Sequence, residues 1–175
     1  HDDTSHYVHI HPLIGDRKMH ELFLPLSLTL GLAMWGIVGW WLLNPWLDSL
    51  AGNRALGVLV FPHIMRYIGL SFLIAGVTAQ PLDPRFASPA AWGDLAAALL
   101  ALVALIALAR DWFLARPVTW LFSIVGTLDF AIALVQGLRF NEAAAMGATY
   151  YIPAVAVPML LVSHALVFRQ LLRSR

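Results

Sequence analysis

Apolar residues run along this chain in five long, uninterrupted blocks rather than in alternation. The first block spans roughly residues 23–43 and the second 55–78. The third spans 92–109, the fourth 118–138 and the fifth 148–167. Each approaches the roughly 20 residues that an α-helix needs to cross a hydrocarbon core about 30 Å thick. A barrel strand would alternate apolar and polar positions over about 10 residues, and no such alternation is present. The pattern predicts an all-α integral membrane protein, a five-transmembrane-helix bundle.

The breaks between blocks are punctuated. Asn44-Pro45 and Gly52-Asn53-Arg54 separate the first pair. Pro81, Asp83, Pro84, Arg85, Ser88 and Pro89 form the second break, Arg110, Asp111, Arg116 and Pro117 the third, and Arg139, Asn141 and Glu142 the fourth. Pro and charge clusters between apolar runs are loop signals. Loops this short make consecutive spans antiparallel neighbours. The expected organisation is a polar, His-rich segment over 1–22 and one helical membrane domain over 23–175. Residues 1–21 hold no apolar run, so they do not read as a signal peptide.

Composition agrees with lipid as the main solvent. The 175 residues are 60% hydrophobic and 12% charged, against about 25% charged in a soluble domain. The net charge of +1 gives no signature of nucleic-acid binding. Cysteine is absent, which excludes disulfides, thiolate metal sites and Cys nucleophiles. No hydrolase, P-loop or dinucleotide motif occurs, so no catalytic residue is assigned.

Five spans put the termini on opposite sides. Arg54, Arg110, Arg116, Arg169, Arg173 and Arg175 fall on the C-terminal side, and Arg17, Lys18, Arg85 and Arg139 on the other. The excess favours a cytoplasmic C-terminus. Trp40, Trp41, Trp46, Trp112 and Trp120 gather near that side, with Trp92 at the opposite boundary, as in an aromatic belt.

Polar groups inside a span need a partner or a purpose, because a central Arg or Asp costs about 2.5–3.5 kcal/mol on insertion scales. In the second span His63, Arg66 and Tyr67 stand at i, i+3 and i+4, one face of an α-helix. The fourth span holds Asp129 and the fifth His164. Arg66 and Asp129 each lie 11 residues past the start of their spans, about 17 Å deep, so an ion pair between them is expected. Three readings of this cluster stay open: a structural pair that sets helix register, a proton or ion relay, or a b-type haem held by His63 and His164. The third span, rich in alanine, reads as packing material without chemistry.

His1, His6, His9, His11 and His20 form an unusual N-terminal cluster. Imidazoles can bind Zn or Cu, yet no Cys or carboxylate pattern completes a site, and any metal remains unassigned. Pro153 and Pro158 are expected to kink the fifth span.

The stretch Leu82-Asp83-Pro84-Arg85-Phe86-Ala87-Ser88-Pro89-Ala90-Ala91-Trp92-Gly93-Asp94, with the later Gly126-Thr127-Leu128-Asp129, resembles a recurring pattern in an uncharacterised group of small bacterial multi-pass inner-membrane proteins. The resemblance covers the second through fourth spans. It implies a bacterial inner-membrane setting and no particular activity. Asp94 is read as opening a helix whose N-terminus favours negative charge.

With so little chain outside the spans, the leading expectation is a non-enzymatic accessory or assembly subunit of a larger membrane complex, partnered by lipid and by other subunits or copies of itself. The alternative is a cofactor- or ion-handling protein that uses the intramembrane cluster. The topology is testable: green fluorescent protein fused after Arg175 should fluoresce and a phosphatase fused there should stay inactive, whereas the opposite pattern would invert the orientation.

Overall fold

The computed structural model of the chain describes residues 14–50 and 53–173, the first eight by backbone alone. The histidine-rich cluster at His1, His6, His9, His11 and the His20 side chain lies outside the described residues. Among the described residues there is helix and no strand. Among them five helices are long and apolar enough to cross a membrane: α1 (Leu22–Ser49), α2 (Arg54–Leu73), α3 (Pro84–Ala109), α4 (Ala115–Phe140) and α5 (Gly147–Arg173).

Several boundaries differ from the expectation: the first helix starts at Ile14 rather than near 23, the second ends at Leu73 rather than 78, and the fifth runs on to Arg173 rather than 167. Proline accounts for two further differences. The first helix begins at Ile14 and continues through a π-helical segment, Val38–Leu43, into Asn44–Ser49, so Asn44-Pro45 does not end it. The wider π turn accommodates a residue that cannot donate to the helical ladder. α3 starts at Pro84 rather than near Trp92. Asp83 caps it, its carboxylate accepting from the Arg85 backbone N–H at 2.8 Å, and Pro84 occupies the first turn, where a missing N–H costs nothing. Arg85 beside Asp83 holds that carboxyl at about 2. Glu142, from the α4–α5 connection, accepts from the Asp83 backbone N–H at 3.2 Å; burial raises its carboxyl above the ordinary value.

α2 departs most from ideal geometry. After one α-helical stretch, Arg54–Val60, it tightens into a 3-10 helix over Phe61–Leu73. Runs of this kind beyond 3–4 residues are uncommon. Three residues per turn bring His63, Arg66, Gly69 and Phe72 onto one line, and these are the residues it buries. Tyr67, one position past Arg66, is carried to the outside. The larger rise, about 2.0 Å per residue against 1.5 Å, also lets a 20-residue helix reach across the core with length to spare.

Helices α2, α3, α4 and α5 close into a ring, each packed on the next, and α1 lies outside it against α5. α3 packs through alanine: Ala91, Ala97, Ala101 and Ala104 are fully buried, which lets backbones approach closely where lipid offers no hydrophobic drive for association. α1 approaches α5 by the same device. A Cβ on Gly31 would lie 2.8 Å from Pro158 Cγ, and one on Gly39 would lie 2.7 Å from Val162. Ser27 Oγ and Tyr150 Oη, 2.9 Å apart, add a polar tie. At the far end Asp48 of α1 is held by Arg169 and Arg173 of α5.

Alanine packing predicts an asymmetry along α3. Ala101→Leu, at a fully buried contact, should destabilise the detergent-solubilised protein by about 1–3 kcal/mol. Leu99→Ala, which faces outward, should stay within about 0.5 kcal/mol. Thermal unfolding in one micelle type compares the two; equal effects would mean that α3 does not pack as described.

Candidate functional site

Inside the ring a single arginine is gripped from two helices. Arg66 Nε donates to Asp94 Oδ1 at 2.8 Å, Nη1 donates to the Gly126 carbonyl at 3.2 Å, and Nη2 donates to Asp129 Oδ2. The guanidinium also lies 3.7 Å from the centre of the Phe130 ring. Its side chain is 1% exposed, those of Asp94 and Asp129 11% and 14%. A guanidinium in so apolar a place needs donors matched to acceptors on every side, and here all three of its nitrogens are engaged.

Backbone glycine makes the grip possible. A Cβ on Gly69 of α2 would run into the Asp94 carboxylate of α3, and one on Gly93 of α3 would run into Asp129 of α4. One on Gly126 of α4 would stand 2.8 Å from His164 Nε2 and 2.9 Å from Arg66 Nη1. Each ring helix from α2 to α4 thus omits one side chain where a neighbour inserts a polar one.

His63 and His164 adjoin the clasp. Their ring centroids are 4.2 Å apart with planes tilted 52°. Both side chains are fully buried, and none of their four ring nitrogens has a hydrogen-bond partner. Phe122 packs on both, 4.9 Å from His63 and 5.0 Å from His164, and Phe130 and Phe168 complete the enclosure of His164. Two imidazoles ligating one haem iron, with Fe–N near the roughly 2 Å usual for His–metal bonds, would hold their ring centroids about 6 Å apart with the macrocycle between them. At 4.2 Å, with phenyl rings on the flanks, the two histidines do not fit a b-type haem. Among the described residues no group of three His, Cys, Asp or Glu side chains is placed to hold a metal ion.

Of the residues singled out by sequence, His63, Arg66, Asp129 and His164 converge in one cluster, while Tyr67 stands apart. It turns outward because the helix there has three residues per turn, not 3.6. Asp94 was missed. Reading Pro84 and Pro89 as loop made Asp94 a helix-opening residue; with α3 starting at Pro84 it sits ten residues in, at the level of Arg66. Its place was signalled by Asp83-Pro84, an N-cap followed by proline in the first turn. The expectation that α3 brings no chemistry is corrected by the same carboxylate.

A family model for a domain of unknown function, DUF8737, matches residues 23–172. The chain belongs to the DUF8737 family. The match covers all five spans and the whole clasp, and the family's description names no activity. No curated protein and no solved structure matches the chain.

The clasp predicts unequal mutational costs in this DUF8737 member. Arg66→Met leaves two carboxylates buried without a counter-charge and should cost about 3–5 kcal/mol. Gly126→Ala, which displaces both Arg66 and His164, should cost about 1–3 kcal/mol. Unfolding in detergent gives both numbers; a silent Arg66→Met would show that the guanidinium is not what holds α3 and α4 together.

Proposed function

We propose that this protein is a non-enzymatic, multi-pass protein of the bacterial inner membrane that handles protons, with the Arg66–Asp94–Asp129 clasp and the His63–His164 pair as its working centre. One observation supports this above the others. The clasp holds one positive and two negative groups, a formal charge of −1, and two buried imidazoles without partners stand beside it. A purely structural ion pair would balance its charge and satisfy its neighbours. A surplus negative charge in a low-dielectric interior calls for one compensating positive charge, and one of the two carboxylates can take it up as a proton. Intramembrane Asp, Arg and His often line such pathways.

The basic residues support one orientation. By sequence position Arg54, Arg110, Arg116, Arg169, Arg173 and Arg175 fall on the C-terminal side, and Arg17, Lys18, Arg85 and Arg139 on the other. This excess supports a cytoplasmic C-terminus.

A second reading, an accessory or assembly subunit, has its own support. Only 17% of the most apolar window of α1 is buried, against 28–44% in the other four helices, so one flank of α1 is free to meet another membrane subunit or a second copy. Native copurification from the membrane tests it directly.

The proton reading predicts that infrared titration of the full chain in bilayers shows a carboxylic-acid band from the clasp appearing and vanishing reversibly with pH. Asp94→Asn or Asp129→Asn removes the surplus charge and should abolish the band in a protein that stays folded. A wild-type spectrum without any titrating carboxyl would make the clasp a fixed structural pair and leave the subunit reading in place.

A further inference from the structure

The clasp is not sealed on all sides. Between α2 and the first half of α5 runs an open cleft of about 420 Å³ with Arg66 and Asp94 on its floor. Met65, Ile68, Ile152 and Ala156 line its walls, and Tyr151, with 71% of its surface exposed, stands among the residues that border it. We infer that this cleft binds a lipophilic organic monocation, which enters in exchange for the proton held by the clasp. The inference rests on the proton reading above and names the cargo of the same centre.

Size, charge and lining each narrow the occupant. A proton or a bare metal cation needs no cleft of this volume, which falls in the range of small-molecule sites. The apolar walls suit hydrocarbon or aryl groups. The floor does not suit an anion. Arg66 is its one cationic group, and all three of its nitrogens already donate to Asp94, Gly126 and Asp129. Asp94 commits only Oδ1 to Arg66, so its second oxygen remains to meet a positive charge. Tyr151 offers an aromatic face of the kind that attracts organic cations.

The ionisable groups around Asp94 are few. α2 supplies Arg66 and His63, α4 supplies Asp129, and α5 supplies His164 and Tyr151. From α1 only Leu24 and Leu28 approach, across a smaller apolar cavity on another side of Asp94. The charge balance is one for one. With the centre at −1, either a proton on one of its carboxylates or an organic monocation against Asp94 brings it to zero. Both together would leave a buried positive charge, so the two exclude each other.

The test uses radiolabelled tetraphenylphosphonium and the full chain in lipid nanodiscs. Saturable binding is expected at alkaline pH, weakening about tenfold for each pH unit on the acid side of the exchange, as displacement of one proton requires. Asp94→Asn should lose at least about tenfold in affinity, a loss of about 1.4 kcal/mol, together with the pH dependence. Met65→Trp, which fills the cleft without touching the charges, should block binding while the infrared titration persists. Wild-type protein that shows no saturable binding, an affinity independent of pH, or undiminished binding by Asp94→Asn would overturn the inference. The wild-type pH series decides the matter even where a variant fails to fold. A titrating carboxyl without tetraphenylphosphonium binding removes the cation and leaves the proton reading; absence of the titrating carboxyl removes the proton reading itself.

Discussion

A guanidinium buried in the middle of a bundle of helices long and apolar enough to cross a membrane sets the terms for everything packed around it. Arg66 cannot be left without counter-charge at that depth, because the penalty for an uncompensated ion far exceeds what a few apolar contacts return. It therefore draws a carboxylate from α3, a carboxylate and a carbonyl from α4, and the Phe130 ring into one place. Those demands determine how close three helices must come. The closeness in turn requires Gly69, Gly93 and Gly126, each lacking a side chain where a neighbour's polar group enters. Alanine along α3 serves the same end farther from the clasp.

The unusual 3-10 stretch of α2 follows from the same constraint. In an α-helix, four residues spaced by three would fan through roughly half a turn, since each step of three falls about 60° short of a full rotation. His63, Arg66, Gly69 and Phe72 could then not all face the interior. With three residues per turn they stack on one line. The poorer hydrogen-bond geometry of the 3-10 helix is offset by placing the cation, its glycine cradle and the first imidazole on a single face. α2 and α5 part along the open cleft that reaches the clasp, so the tightened helix also forms one wall of that cleft.

What separates this centre from a simple structural salt bridge is imbalance. Two carboxylates face one guanidinium, and two imidazoles are enclosed by phenyl rings without a hydrogen bond between them. Helix register alone could be set by a balanced pair or a satisfied amide. The surplus charge and the unpartnered nitrogens are what the proposed proton role rests on, and the cleft beside Asp94 is what the proposed cation site rests on.

Much of this was legible in the chain itself. The five apolar blocks determined the helices, because a bilayer of given thickness demands apolar runs of given length. His63, Arg66, Asp129 and His164 stood out because charged and titratable groups inside such runs are costly and therefore few. Matched depth brought Arg66 and Asp129 to one level before any contact was known. Other features depended on three dimensions. Asp94 belongs to the clasp because α3 starts eight residues earlier than its apolar run implies, and proline there begins a helix rather than a loop. Tyr67 leaves the cluster because the pitch of α2 is a property of its packing, and a periodicity assumed at 3.6 places it wrongly. The roles of the three glycines were invisible, since what a missing side chain makes room for is known only when the neighbour is in place. Sequence thus determined which groups had to be buried, through the energetics of transfer into lipid; only the tertiary structure decided which of them meet, because that rests on helix pitch, start and close approach.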